Sequence, residues 1–241
     1  MCNRHECTIS EDLINSSDLR YSELQRPVKL RRYVSPLRAD QARATQRTII
    51  DAATTLFSAN GYAAVSVDAI AAAAGVSRAT VFASAGGKPE ILRAAFRAAF
   101  GRAAGDEDMP MPFVDRPRSR KVRSIESARG HLAGYAALVT DVFAQMSGVY
   151  EAIREGARSD ADVGALWTEI NDERRRGAAT IVADVKARAS LRRGLVAERA
   201  ADVVWVLNDP GVFHMLVHVR GWSTATYTAW LSRALEAELL G

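Results

Sequence analysis

The run Gly75-Val76-Ser77 restricts the fold of this chain more than any other feature, because it joins two short segments that each carry one apolar edge. Ser66 is suited to cap a helix on which Ile70, Ala71 and Ala74 share a face, and Gly75 to end that helix in the left-handed conformation that glycine adopts cheaply. Ser77 then caps a second segment beginning at Arg78, which the pair Gly86-Gly87 stops after about two turns. Neither segment is long enough to be stable alone. Their spacing is that of a helix-turn-helix: Ala71 is small where the second helix crosses, and Ile70, Val76 and Val81 fill the wedge between the two. One edge of the second helix is therefore held by its neighbours, and the other is free to lie in a major groove.

That free edge carries small or polar side chains: Arg78, Ala79, Thr80, Ala83 and Ser84. Arg78 can reach a guanine edge with two hydrogen bonds or clamp a phosphate, while Ser77 and Thr80 can donate to phosphate oxygens. Lys88 follows the glycine pair at the start of the next helix, where its ammonium and the free backbone N–H groups can grip one phosphate together. Arg47, Ser66 and Phe82 complete the candidate DNA-binding set. The net charge of +4 is too small for a uniformly basic nucleic-acid protein, so contact with DNA rests on where the charges sit.

Residues 1–40 show no sustained periodicity and are expected to be a disordered leader, a basic arm or a misassigned start. The first 25 residues carry five acids against Arg4 and Arg20, after which Arg26, Lys29, Arg31, Arg32, Arg38, Arg43 and Arg47 face only Asp40. Cys2 and Cys7 flank His5 with no second ligand pair downstream, so neither a structural metal nor a stapling disulfide is expected. Helical periodicity begins near residue 43, with Ile49, Ile50, Ala53, Leu56 and Phe57 on one face and a stop at Gly61. The reading assigns 41–88 to the helix-turn-helix domain and 89–104 to a connecting helix with Ile91, Leu92, Ala95, Phe96 and Phe100 inward. A loop follows at 105–123, and a helical bundle at 124–241. Within the bundle, helices are predicted at 124–146, 148–158, 160–187, 198–208, 210–221 and 224–239. The fold class is all-α. No apolar run approaches the roughly 18 to 20 residues of a membrane helix, which points to a cytoplasmic protein.

Residues 43–104, with "RTIIDAATTLFSANGYAAVSVDAIAAAAGVSRATVFASAGGKPEILRAAF", resemble the DNA-binding domain of the TetR family of transcriptional regulators. The region from about 130 to 241, including "DVGALWTEINDERRRG", resembles the C-terminal domain of a subset of them. The resemblance implies that the third helix reads double-stranded operator DNA, that the C-terminal helices form a homodimer and that a small-molecule effector in the bundle controls DNA affinity. It carries over Thr80 and Lys88 directly. The family usually has tyrosine at Phe82, and histidine then phenylalanine at Ser84 and Ala85, so one phosphate hydrogen bond is lost at Phe82.

In the bundle, Tyr135, Phe143, Met146, Tyr150, Trp167, Trp205 and Phe213 are candidates for the ligand pocket, although most such residues are core. Leu207, Tyr227, Trp230, Leu231 and Leu235 are candidates for a symmetric dimer interface. His214 and His218 lie four apart with no third ligand and read as a partly buried or interfacial pair, with a metal or pocket role as the lesser reading. The function expected is a ligand-responsive dimeric DNA-binding regulator, a repressor rather than an activator. It needs no cofactor, metal or catalytic residue and has no membrane partner. The alternative is a helical small-molecule binding protein or enzyme whose helix-turn-helix no longer reads an operator.

Overall fold

The computed structural model describes residues 36–104 and 113–241, and the described residues are helical with no strand. The leader residues 1–35, with Cys2, His5 and Cys7, lie outside them, as does the start of the expected loop. The compact unit Gln41–Gly241 holds both the helix-turn-helix and the bundle. Helix α1 spans Pro36–Ala64, so it begins before residue 43. It is followed by α2 (Val67–Ala74), α3 (Arg78–Ala85) and α4 (Lys88–Ala104). Ile49, Ile50, Ala53 and Phe57 of α1 are buried with Ile70, Val81, Ile91, Leu92 and Ala95, each large side chain contributing about 1.5–3 kcal/mol.

The corner between α2 and α3 is closed by main-chain bonds. Gly75, at φ 67°, donates to the Ala72 carbonyl at 3.2 Å, and Val76 donates to Ala71 at 3.0 Å. This pair is a Schellman cap, and it satisfies carbonyls that the end of α2 would leave open. Helices α2 and α3 meet at 98°. The caps are those expected: Ser66 accepts from the Ala69 N–H and Ser77 from the Thr80 N–H, both at 3.1 Å.

The expected loop at 105–123 is corrected over its described part. A single 3₁₀ turn occupies Phe113–Asp115, and helix α5 spans Pro117–Arg123 with proline at its first turn. Prolines and charges suggested a loop, but Arg123 binds Asp184 through two hydrogen bonds of 2.8 and 3.1 Å. Arg188 Nε also donates to the Ile125 carbonyl at 2.8 Å, so the segment is fixed against the far end of the bundle. The predicted break near residue 147 is corrected too: α6 runs uninterrupted over Ala128–Gly156. Gly148 is not a breaker, because a side chain there would meet Ser58 of α1 at 2.8 Å; the glycine lets two helices approach.

Helix α7 spans Ala161–Lys186 and α8 spans Ala197–Leu207. A short α9 (Pro210–Phe213) widens into a π-helical segment, His214–Val219, where one continuous helix over 210–221 was predicted. Helix α10 spans Thr224–Leu239 and packs on α6.

Gly61 breaks α1 without ending it. At φ 76° the glycine interrupts the helix, and the N–H groups of Tyr62 and Ala63 start a new turn without a local partner. The Glu155 carboxylate of α6 supplies one, accepting from Tyr62 at 2.9 Å and from Ala63 at 3.2 Å. A Cβ at position 61 would lie 2.2 Å from Glu155 Oε2. Gly61→Ala therefore adds left-handed strain and displaces the carboxylate. It is expected to lower stability by roughly 1–3 kcal/mol in urea unfolding.

Candidate nucleic-acid interface and central cavity

Along α3, Arg78, Ala79, Phe82 and Ala83 are exposed, Thr80 and Ser84 are half-buried, and Val81 is the buried residue that holds the helix to its neighbours. Arg47 on α1 and Ser66 at the start of α2 are also exposed. Arg78 is engaged: Nη1 donates to Asp68 Oδ2 at 2.6 Å, and the guanidinium lies 5.5 Å from the centre of the Phe82 ring. Both members of the ion pair are more than half exposed, so the pair is worth at most about 1 kcal/mol and exchanges readily for another anion.

Lys88 is placed differently from the expectation that it stands open beside the helix start. Its ammonium lies 4.1 Å from the centre of the Tyr62 ring, where burial holds its pKa below the ordinary lysine value. Tyr62 in turn donates its hydroxyl to Asp160 Oδ2 at 2.6 Å, while Asp160 Oδ1 caps α7 by accepting from Asp162 and Val163. Gly156 allows the ring this close, since a Cβ there would sit 2.6 Å from Tyr62 Cδ1. Tyr62, Lys88, Glu155, Gly156 and Asp160 thus form a joint between the helix-turn-helix and the bundle. Residue spacing contains no signal for it, because Glu155 and Asp160 lie more than 90 positions from their partners.

A second feature lies inside the bundle. A cavity of about 460 Å³ is walled by α4, α5, α6 and α7. Phe96 and Phe100 of α4 line it, as do Tyr135, Phe143, Met146 and Tyr150 of α6, the last four being expected pocket residues. The other three expected residues are placed elsewhere. Phe213 is fully buried between Phe143 and Tyr227, Trp167 packs against Tyr150, and Trp205 stacks on Arg174 and Arg175. The assignment of dimer residues also needs correction: Tyr227, Leu231 and Leu235 have zero exposure within the single chain, because α10 turns them onto α6. Leu207 and Trp230 remain half-buried. His214 and His218 pack 5.2 Å apart, and His218 Nε2 lies 3.3 Å from Ser147 Oγ. Among the described residues, no cluster of His, Cys, Asp or Glu could hold a metal ion.

Residues 49–95 match the sequence profile of bacterial regulatory proteins of the tetR family. Over those residues, which hold α2, α3 and parts of the helices on either side, the chain is similar to the TetR family. No curated protein matches it by sequence. The solved structures it resembles share its fold over most of their length. A transcriptional regulator from Saccharomonospora viridis in complex with choline is 20% identical, with TM-score 0.61 over 83% of this chain and 99% of that one. FadR from Bacillus subtilis in complex with stearoyl-CoA is 18% identical, with TM-score 0.58 over 78% and 96%. NalD of Pseudomonas aeruginosa, the secondary repressor of the MexAB-OprM efflux pump, is 16% identical, with TM-score 0.61 over 83% and 98%. These likenesses show the all-α fold, and the match over residues 49–95 shows a helix-turn-helix of the tetR type within it.

At the joint, the Tyr62 hydroxyl is the main cause that holds the Asp160 carboxyl below the usual carboxylate range. Because the folded value is the lower one, the stability it contributes is present above about pH 4 and is lost as pH falls through the folded value. Solvent screening keeps that contribution small. Tyr62→Phe is expected to raise the Asp160 pKa toward the ordinary value, as read by carboxyl NMR titration.

Proposed function

We propose that this protein is a homodimeric repressor acting in the cytoplasm. Two copies of α3 would enter successive major-groove segments of a pseudo-palindromic operator, about 34–36 Å apart. The observation that carries the reading is the outer face of α3: small side chains at Ala79 and Ala83, capped ends, and one basic residue held only by an exposed ion pair. On DNA, Arg78 exchanges Asp68 for a guanine edge, Ser77, Thr80 and Ser84 donate to phosphates, and Phe82 lies against the sugar-phosphate backbone. Arg47, Ser66 and Lys88 approach the flanking phosphates, Lys88 by leaving the Tyr62 ring.

A small molecule in the cavity sets the affinity. Phe96 and Phe100 line the cavity on the same helix that begins at Lys88, and the joint at Tyr62 lies beside that beginning. An effector releases the operator if it favours an orientation of α4 in which the two recognition helices no longer match the groove spacing, and the operator must then weaken the effector by the same factor. No reaction is required of the protein.

The test is fluorescence anisotropy on DNA from upstream of the gene against a scrambled duplex at two salt concentrations. A preference of roughly 10³-fold at the higher salt is expected; equal, salt-labile binding to both would overturn the reading. Arg78→Ala is expected to relax the preference at a cost of about 1–3 kcal/mol, whereas Lys88→Ala weakens both duplexes alike and lowers the salt slope by about one. For the dimer, support comes from Val206 of α8 and from Met215 and Val219 of the π-helical segment, apolar side chains each more than half exposed. Val219→Asp is expected to halve the mass measured by light scattering.

A further inference from the structure

The shape of the cavity and the state of its polar groups bear on what it holds. The lining residues of α6 recur from His131 through Leu138, Val142 and Met146 to Tyr150, one face of the helix over about 28 Å. A round cavity of the same 460 Å³ would be only about 10 Å across, so the space is long and narrow. Between His131 and Tyr150 the α6 wall is aliphatic and aromatic, while α7 adds Arg176 and Thr180 between Arg174 and Ile181.

The arginines that line it are already matched by carboxylates of the chain. Arg123 is bound by Asp184, Arg176 by Glu173 at 2.7 Å and Arg174 by Asp209 at 2.9 Å. Arg174 also donates to the Trp205 and Asn208 carbonyls at 2.8 and 2.9 Å, where its charge holds the end of α8. The Arg176–Glu173 pair is exposed, but an anion deeper in the cavity would have to displace the more buried pair of Arg123 or of Arg174.

At the α5 end the groups left without a partner are neutral, whereas at the Tyr150 end Arg174 Nε and Asn208 Oδ1 also lack one. Ser119 Oγ and His131 Nε2 are buried, belong to lining residues and have no hydrogen-bond partner in the chain. His131 Nδ1 lies 3.2 Å from the Val122 carbonyl, which can only accept, so Nδ1 carries the proton. The nearest carboxylate oxygen to Nε2, on Asp184, is 4.0 Å away, beyond hydrogen-bond range. Burial lowers the pKa of this imidazole, so Nε2 is a bare acceptor at neutral pH. Ser119 and Val122 are one turn apart on α5, which brings the hydroxyl and the imidazole to the same end of the space.

Resting on the reading of the cavity as the effector site, we infer that it takes an uncharged, elongated, mainly hydrocarbon molecule whose terminal hydroxyl or amide N–H is received by His131 and Ser119. The apolar chain lies along α6, and the polar end replaces the bond that each of those buried groups lacks.

Isothermal titration of the full-length protein with 1-decanol, decanoate and 1-adamantanol separates these requirements. The expected result is that 1-decanol binds about tenfold or more tightly than either competitor. Ser119→Ala and His131→Asn should each reduce its affinity about fivefold or more while leaving the melting temperature and operator binding in place. Decanoate binding as tightly as the alcohol would overturn the uncharged class, and 1-adamantanol doing so would overturn the elongated shape; either leaves the cavity as a ligand site. Unchanged 1-decanol affinity in both variants would overturn the role of His131 and Ser119. Failure of all three probes to bind a folded, operator-binding protein would overturn the effector cavity itself.

Discussion

The Glu155 carboxylate, seated on the N–H groups of Tyr62 and Ala63, is the contact on which the placement of the DNA-binding domain depends. A helix broken by a positive-φ glycine leaves donors that must be satisfied, and a carboxylate is the strongest acceptor a neighbouring helix can offer. Once it is there, the rest of the joint is constrained. Gly156 must lack a side chain so that the Tyr62 ring can pack, Asp160 receives the hydroxyl, and Lys88 settles over the ring. Each of these residues also has a local task, as a helix end, a cap or the first residue of α4. None can move without disturbing an element boundary.

A second attachment joins the same two parts along α4. Its N-terminal half packs Ile91, Leu92 and Ala95 in the core, while Arg93 and Arg97 reach Glu169 of α7 and Phe96 and Phe100 line the cavity. The helix therefore has one face in the helix-turn-helix core and another toward the interior space. On the proposed reading, with the joint fixed at Tyr62, a ligand that turned α4 would change the direction of α3. Packed cores change between discrete arrangements rather than deforming smoothly, which suits a regulator.

Arginine has an unusual share in holding the bundle. Arg174 closes the carbonyl end of α8, and Arg188 and Arg123 tie α5 and its following turn to the end of α7. These side chains use planar, multiply donating groups to satisfy carbonyls that helices leave open at their ends. Arg123 and Arg174 are also paired with the carboxylates of Asp184 and Asp209 beside a largely apolar space.

The sequence by itself determined the local features: the Ser66 and Ser77 caps, the left-handed Gly75, the wedge of Ile70 and Val81, and the all-helical class. Those features depend on residues within a turn or two of each other, so spacing suffices to read them. Tertiary structure alone decided which apolar side chains face a cavity, which face the core and which face solvent. Tyr227 and Leu231 carry the same hydrophobic signal as an interface yet are sealed by α6, while Val219 stands open because the helix widens at His214–Val219. The break expected at residue 147 is absent where Gly148 admits Ser58 of α1, and Glu155 binds the broken turn of α1 more than 90 positions away. The physical reason is common to all of them: periodicity reports that a side chain needs covering, but only the arrangement of distant helices determines what covers it.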